Sequence, residues 1–191
     1  MNLANRLTVS RFFLTLAFVA ALSMDVPYRF TAALVLFLIA GITDYADGEV
    51  ARRFNMQSDF GRLMDPLVDK IMMASAFICL VPLRAIPAWA ATVIVSREFL
   101  ITGLRLLAAS KGRVLSAEKL GKHKTAWQII TAIFFLLMLS IRELFRFGAS
   151  ALYAGIWHFC GDTLLAVTIA LTLISGAGYL WKNWSLVESQ Q

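Results

Sequence analysis

The sequence has little charge for its length. Only 16% of the 191 residues are charged, while 59% are hydrophobic. A soluble domain averages about 25% charged and about 45–50% apolar residues. A single core of this size could not bury so much apolar surface. The composition therefore excludes an ordinary soluble domain and favours a membrane protein.

Cysteine and proline are also scarce. The two cysteines, Cys79 and Cys160, lie in apolar segments without the spacing of a metal site. We therefore expect both to be small buried side chains. Only four prolines are present, and three of them mark connections, because proline disfavours helix in the residue before it. These three are Pro27, Pro82 and Pro87.

Six apolar segments approach the length of about 20 residues that a membrane-spanning helix needs. We predict spans at residues 7–24, 28–50, 65–83, 86–109, 123–141 and 162–182. No internal repeat or linker interrupts them. The predicted fold is therefore all-α, a polytopic membrane protein with six transmembrane helices in one domain over residues 1–191. Residues 142–159 mix aromatic and charged types, which predicts an outer connection with room for an interfacial helix.

The positive charges indicate an orientation. If the N-terminus is cytoplasmic and six spans alternate, all but four of the 18 Lys and Arg residues fall on the inner side. The four exceptions are Arg29, Arg84, Arg142 and Arg146. This asymmetry predicts that both termini are cytoplasmic. It also accounts for much of the net charge of +6, and we expect no nucleic-acid partner.

Four aspartates stand at the inner ends of two predicted spans. Asp44 and Asp47 are three residues apart, and Asp65 and Asp69 are four apart, so each pair shares one face of a helix. A short link joins the two helices, which are expected to be antiparallel neighbours. The four carboxylates should therefore converge at the membrane boundary.

Converging carboxylates repel one another, and desolvation at a membrane boundary increases the cost. Arg52 and Lys70 can supply part of the neutralising charge. Divalent cations supply it better, and ligation by oxygen alone suits Mg²⁺, Mn²⁺ or Ca²⁺ rather than zinc. Gly48 and Gly61 interrupt the same stretch, where a glycine allows close helix packing or close approach of a ligand. The cluster therefore predicts a site for divalent cations.

The residues from Asp44 to Asp69 read D-x2-D-G-x2-A-R-x8-G-x3-D-x3-D. This pattern resembles the signature of the CDP-alcohol phosphotransferase family at all of its fixed positions. The six predicted spans and the cytoplasmic site are also similar to that family. The resemblance therefore covers nearly the whole chain.

The resemblance implies roles for individual residues. The positions of Asp44, Asp47 and Asp65 imply metal ligands, and the position of Asp69 implies a general base that also lies close to a metal. The implied cofactor is Mg²⁺ or Mn²⁺, as two ions. The residues implied for binding CDP-diacylglycerol are Gly48, Ala51, Arg52, Gly61, Asn5 and Thr8.

Shorter motifs resemble one branch of the family, the bacterial phosphatidylglycerophosphate synthases. They are Asn5–Arg11, Ser96-Arg97-Glu98 with Arg105, and Gly121–Thr125. The branch implies glycerol 3-phosphate as the acceptor, giving phosphatidylglycerophosphate and CMP in phospholipid biosynthesis. The acceptor phosphate needs cations, and guanidinium forks suit phosphate oxygens. The candidates are Arg97, Arg105, Lys122 and Lys124, and Glu98 is a candidate for orienting one of the arginines.

The same resemblance implies a bacterial inner-membrane enzyme with its active site facing the cytoplasm, and a homodimer. Two alternatives remain open from the residues. The first keeps the chemistry but uses another acceptor, such as inositol phosphate or serine. The second is a divalent-cation transporter, because carboxylates in membranes are common on ion paths.

Overall fold

The structure, a computed structural model, consists of long helices joined by short connections. It describes the backbone of residues 3–54, 59–112, 119–145 and 151–184, and side chains within residues 8–43, 64, 67–112, 121, 123–145 and 151–184. Within these ranges six helices follow in chain order: α1 Leu3–Ser23, α2 Arg29–Phe54, α3 Asp59–Leu80, α4 Ala88–Ser110, α5 Lys119–Phe145 and α6 Ala151–Lys182. The prediction of an all-α fold with six helices is confirmed.

Specific hydrogen bonds account for two of the helix ends. The Glu143 carboxylate on α5 accepts hydrogen bonds from the backbone N–H groups of Phe30 at 3.3 Å and Thr31 at 3.0 Å. It thereby satisfies donors at the start of α2 that have no partner inside the helix. At the end of α4, Gly112 adopts a φ of 69° and its N–H donates to the Ala109 carbonyl at 3.0 Å. Glycine takes this left-handed conformation without a Cβ penalty, which ends the helix cleanly.

The helices pack in an order that differs from their order along the chain. α1 packs against α2 and α3, α5 packs against α2 and α6, and α4 packs against α3 and α6. Their shared core contains buried aromatic rings from four different helices: Phe18, Phe37, Phe77 and Phe135. As a result α3, α4, α5 and α6 surround a common space at the end of the bundle where α3 and α5 begin.

The predicted outer connection over residues 142–159 is wrong where the chain is described. α5 continues to Phe145, and α6 begins at Ala151 and runs for 32 residues. Tyr153 donates to the Met138 carbonyl at 2.8 Å, and the Trp157 ring meets the Phe135 ring with centroids 5.4 Å apart. Because the two aromatic residues are one turn apart, they share a face and hold this part of α6 against α5.

Two helices in the described ranges are long and apolar enough to cross a membrane. They are His123–Phe145 and Ala151–Lys182. Shorter apolar helices are formed by Thr8–Ser23 and Arg29–Thr43. The prediction of six spans, the orientation of the termini and the extent of the domain stay predictions.

Candidate functional site

A cavity of about 480 Å³ lies among α3, α4, α5 and α6. We call it the polar cavity because six charged side chains line it: Asp69, Lys70, Arg97, Glu98, Arg105 and Lys124. Four of these side chains are cationic and two are carboxylates. The cavity therefore has an excess of positive charge and suits an anionic ligand.

Glu98 and Lys124 form an ion pair inside the polar cavity. The Lys124 side chain is 3% exposed and the Glu98 side chain is 16% exposed. Lys124 Nζ donates to Glu98 Oε1. A buried ammonium needs such a partner, because transfer of an unpaired charge out of water is very costly. Glu98 thus fixes the position of Lys124 at the edge of the cavity.

Arg97 is held from two sides. Its Nη1 donates to Glu98 Oε1 at 3.3 Å, and its Nη2 donates to Ser175 Oγ on α6 at 3.1 Å. Its Nε is buried and has no hydrogen-bond partner among the described residues. A Cβ on Gly176 would lie 3.1 Å from Arg97 Cγ. The glycine therefore gives the aliphatic part of Arg97 room to pass α6.

Arg105 and Lys70 complete the cationic lining. Arg105 Nε donates to the Tyr179 hydroxyl at 3.1 Å, and its guanidinium carbon lies 5.5 Å from the centre of the Tyr179 ring. Lys70 Nζ donates to Thr102 Oγ1, and Thr102 Oγ1 in turn donates to the Glu98 carbonyl at 2.6 Å. Each cation is therefore held by a named neighbour, so the lining is organised before any ligand binds.

The structure brings four of the predicted site residues into the polar cavity: Asp69, Arg97, Arg105 and Lys124. Thr8, on α1, is buried with 1% exposure. The other predicted side chains lie outside the described residues: Asn5, Asp44, Asp47, Gly48, Ala51, Arg52, Gly61, Asp65 and Lys122. Among the described side chains alone, no three His, Cys, Asp or Glu form a metal-binding group. The roles assigned to all these residues stay predictions.

The prediction missed the contribution of α6. Ser175 and Tyr179 hold the two arginines, and Gln128 on α5 also lines the polar cavity. A signal was present in the sequence. Polar residues recur along this apolar helix at Thr168, Thr172, Ser175 and Tyr179, and that spacing of three and four residues places them on one face.

A second charged cavity of about 410 Å³ lies at the other end of the bundle. We call it the arginine cavity, after the three arginines that line it: Arg29, Arg84 and Arg142. From Lys124 to Arg142 along α5 the distance is about 27 Å at 1.5 Å per residue. The bundle therefore has one cavity with charges of both signs and, far from it, one lined by arginines.

Known proteins resemble this chain over most of its length. The family model described as CDP-alcohol phosphatidyltransferase matches residues 1–184. A Bacillus subtilis protein named CDP-diacylglycerol–glycerol-3-phosphate 3-phosphatidyltransferase is 36% identical, over 98% of this chain and 98% of its own length. A Rickettsia bellii protein of the same name is 30% identical, over 93% of each chain.

A Mycobacterium tuberculosis protein named probable phosphatidylglycerophosphate synthase is 35% identical, over 94% of this chain and 80% of its own length. These relatives agree with the family model. They also agree with the resemblance carried by the aspartate pattern from Asp44 to Asp69. The chain therefore belongs to the CDP-alcohol phosphatidyltransferase family.

Proposed function

We propose that this protein transfers the phosphatidyl group of CDP-diacylglycerol to glycerol 3-phosphate, giving phosphatidylglycerophosphate and CMP in phospholipid biosynthesis. The observation that carries the proposal is the polar cavity, which places Asp69 together with Arg97, Arg105 and Lys124. The relatives named for this reaction support the same acceptor.

The charge of the polar cavity matches the acceptor. A phosphate monoester carries about −1.5 to −2 charges near neutral pH. Four cationic side chains against two carboxylates leave an excess of two positive charges in the lining. Arg97 and Arg105 would contact the phosphate through their forked N–H groups, and Lys124 would add a point charge. Serine and inositol carry no phosphate and would leave the excess positive charge of the lining without a matching anion.

Asp69 would act on the hydroxyl of the same acceptor. It lines the polar cavity next to Lys70 on α3. If the arginines bind the phosphate of the acceptor, its primary hydroxyl at the other end would lie toward α3. Asp69 would take the proton from the primary hydroxyl as that oxygen attacks the β-phosphate, and CMP would leave. General-base catalysis of this kind contributes about 10²–10⁴-fold to a rate.

The residues fit a pair of divalent cations through their donor type and backbone placement. Positions 44 and 47 lie one turn apart on α2, and positions 65 and 69 lie one turn apart on α3. Asp44, Asp47, Asp65 and Asp69 would hold Mg²⁺ or Mn²⁺ with oxygen ligands alone. When bound, the ions would stabilise negative charge on the diphosphate of CDP-diacylglycerol. Arg52 would bind that diphosphate, and Gly48, Ala51 and Gly61, with Asn5 and Thr8, would border the cytidine.

A membrane location follows from the lipid substrate. The two long apolar helices and the two shorter ones support a protein that crosses the membrane several times. We place it in the bacterial inner membrane with six spans and both termini in the cytoplasm. The polar cavity would then face the cytoplasm, where a soluble phosphate ester can reach it. A homodimer remains part of the proposal on the strength of the family resemblance.

An acceptor screen tests the proposal. The purified protein in detergent micelles containing CDP-diacylglycerol is offered glycerol 3-phosphate, serine, inositol or inositol phosphate, and CMP release is measured. We expect release with glycerol 3-phosphate when Mg²⁺ or Mn²⁺ is present, and no release after chelation with EDTA.

Release that required serine or inositol and ignored glycerol 3-phosphate would show that the acceptor is wrong. Release that persisted after chelation would contradict the metal site. Divalent-cation flux in sealed vesicles without CDP-diacylglycerol, together with no CMP release, would favour the transporter alternative.

A further inference from the structure

Among the described residues of α5 that line the polar cavity, Gln128 alone has a buried side-chain nitrogen, Nε2, without a described hydrogen-bond partner. The residue is 2% exposed, and its Nε2 meets no hydrogen-bond partner in the part of the chain that the structure describes. A buried polar group of this kind costs stability unless something satisfies it. An apolar side chain of the same size would pack there without that cost, so the amide points to a ligand.

The position of Gln128 defines what it can reach. It lies four residues after Lys124 on α5, so both side chains share one face, about 6 Å apart along the helix axis. Beyond it the same face enters the core, where Thr131 already exchanges a hydrogen bond with Thr168 at 2.8 Å. Gln128 therefore lies deeper in the bundle than Lys124, and we call it the floor of the polar cavity. We call Arg97, Arg105 and Lys124 the rim. Met73 and Ile101, which are also buried, line the same cavity.

The side-chain amide of Gln128 differs chemically from the cations of the rim, so it suits a different part of the ligand. A phosphate is matched by Arg97, Arg105 and Lys124, which supply charge-assisted hydrogen bonds. A neutral amide both donates and accepts, which matches a hydroxyl group. Glycerol 3-phosphate has such a group between its phosphate and its reacting end. This inference rests on the proposed function.

We infer that Gln128 is a specificity-determining residue that binds the non-reacting hydroxyl, at C2, of the acceptor. The rim would bind the phosphate, and Asp69 would take the proton from the reacting hydroxyl. Gln128 would bind the hydroxyl on the carbon between these two groups. A site that hydrogen-bonds a substrate hydroxyl rejects an analogue lacking it, because its own buried group is then left without a partner. The polar cavity would thus select polyol phosphates over simple alkyl phosphates.

The test compares two acceptors that differ only in this hydroxyl. The full-length protein in detergent micelles with CDP-diacylglycerol and Mg²⁺ is assayed for CMP release with glycerol 3-phosphate and with 3-hydroxypropyl phosphate. We expect the wild-type kcat/KM to favour glycerol 3-phosphate by about 10- to 100-fold, the cost of leaving one buried neutral group without a partner. In Gln128→Met, which keeps the length and removes the amide, we expect that ratio to fall to about 1- to 3-fold, chiefly through loss of activity with glycerol 3-phosphate.

The matched control is Ile130→Met, because Ile130 is 47% exposed and lies on a different face of α5. It should keep the wild-type ratio. Gln128→Leu replaces Gln128→Met if the latter is not recovered folded, as judged by its thermal transition. The expected ratio is the same for both variants.

The outcomes separate the two hypotheses. If the wild type released no CMP with glycerol 3-phosphate, the proposed function would be overturned, and so would the role of Gln128. Wild-type release with equal use of both acceptors would overturn the role of Gln128 alone. A Gln128 variant that kept the wild-type ratio, or lost activity equally with both acceptors, would also overturn that role and leave the proposed function standing.

Discussion

The two cavities differ in how their positive charges are held. In the polar cavity, Lys124 is almost fully buried and is paired with Glu98, and Arg97 is held by Glu98 and Ser175. In the arginine cavity, Arg84 and Arg142 are exposed, and Arg29 pairs with Asp25, whose own side chain is 97% exposed. The nearby Glu143 binds the start of α2. The cations of the first cavity are fixed in advance, which is what a site for a specific anion requires.

The same residue types therefore have different consequences at the two ends. Glu98 positions two cations of the polar cavity, while Glu143 at the other end caps a helix. Matched substitutions should affect catalysis at one end and only stability, or nothing, at the other. The following predictions test that contrast in order of decreasing effect.

The largest effect is expected from Asp69→Asn. Asparagine keeps the size of the side chain but cannot accept the proton, so kcat should fall by about 10²–10⁴-fold. CMP release at saturating acceptor measures the effect, and the thermal transition should stay close to that of the wild type. Asp162→Asn, at an exposed position on α6, is the control and should keep full activity. An Asp69→Asn protein with near-normal turnover would contradict the role of the base.

The second effect compares one arginine from each cavity. Arg105→Ala removes a guanidinium from the polar cavity, and hydrogen bonds to charged groups contribute about 1.5–3 kcal/mol each. We therefore expect KM for glycerol 3-phosphate to rise by about 10- to 100-fold, with KM for CDP-diacylglycerol nearly unchanged. Arg142→Ala should change neither KM. An equal rise in KM for glycerol 3-phosphate in both variants would contradict a functional difference between the two cavities.

The third effect compares the two glutamates. Glu98→Gln weakens the hold on both Lys124 and Arg97, and we expect KM for the acceptor to rise by about 5- to 10-fold. Glu143→Gln should leave both KM values unchanged and lower the free energy of unfolding by about 1 kcal/mol, because it weakens the cap on α2. Steady-state kinetics and thermal unfolding of the two variants measure the contrast. A raised KM in Glu143→Gln would show that the arginine-cavity end of the bundle affects the polar cavity.

The smallest effect is expected from a single added methyl group. In Gly176→Ala the new Cβ would lie 3.1 Å from Arg97 Cγ, so the arginine must shift by a few tenths of an ångström. We expect KM for the acceptor to rise by about 2- to 5-fold. Gly178→Ala, where nothing lies within 4 Å of the added group, should behave as the wild type. Identical kinetics in the two variants would show that the position of Arg97 is not critical.

The sequence was sufficient for the helices and for the grouping of several site residues. Apolar runs and prolines placed all six helices, because helix formation and its termination depend on neighbours along the chain. The predicted helix ends were wrong at residues 142–159, where the mixed composition suggested a connection. There Tyr153 and Trp157 pack on α5, a contact between distant residues that local composition does not reveal.

The partners of the cations could not be read from the sequence alone. The motifs pointed to Arg97, Arg105 and Lys124, but Ser175 and Tyr179 belong to a different helix. Their part depends on how α4 packs against α6, which no local pattern specifies. Glu98 was expected to orient one arginine. In the structure it contacts Arg97 and also Lys124 on α5, so a single carboxylate joins two helices.

The support of the arginines by α6 has a consequence for biosynthesis. Arg97 precedes Ser175 by 78 residues, and Arg105 precedes Tyr179 by 74. Because a ribosome makes the chain from its N-terminus, every catalytic motif is translated well before the hydroxyls that hold these two guanidiniums. A nascent chain arrested before the final third of α6 would carry the full aspartate signature and still lack the hydroxyls that hold Arg97 and Arg105. Enzymatic competence should therefore arise late, when the last helix has packed against α4.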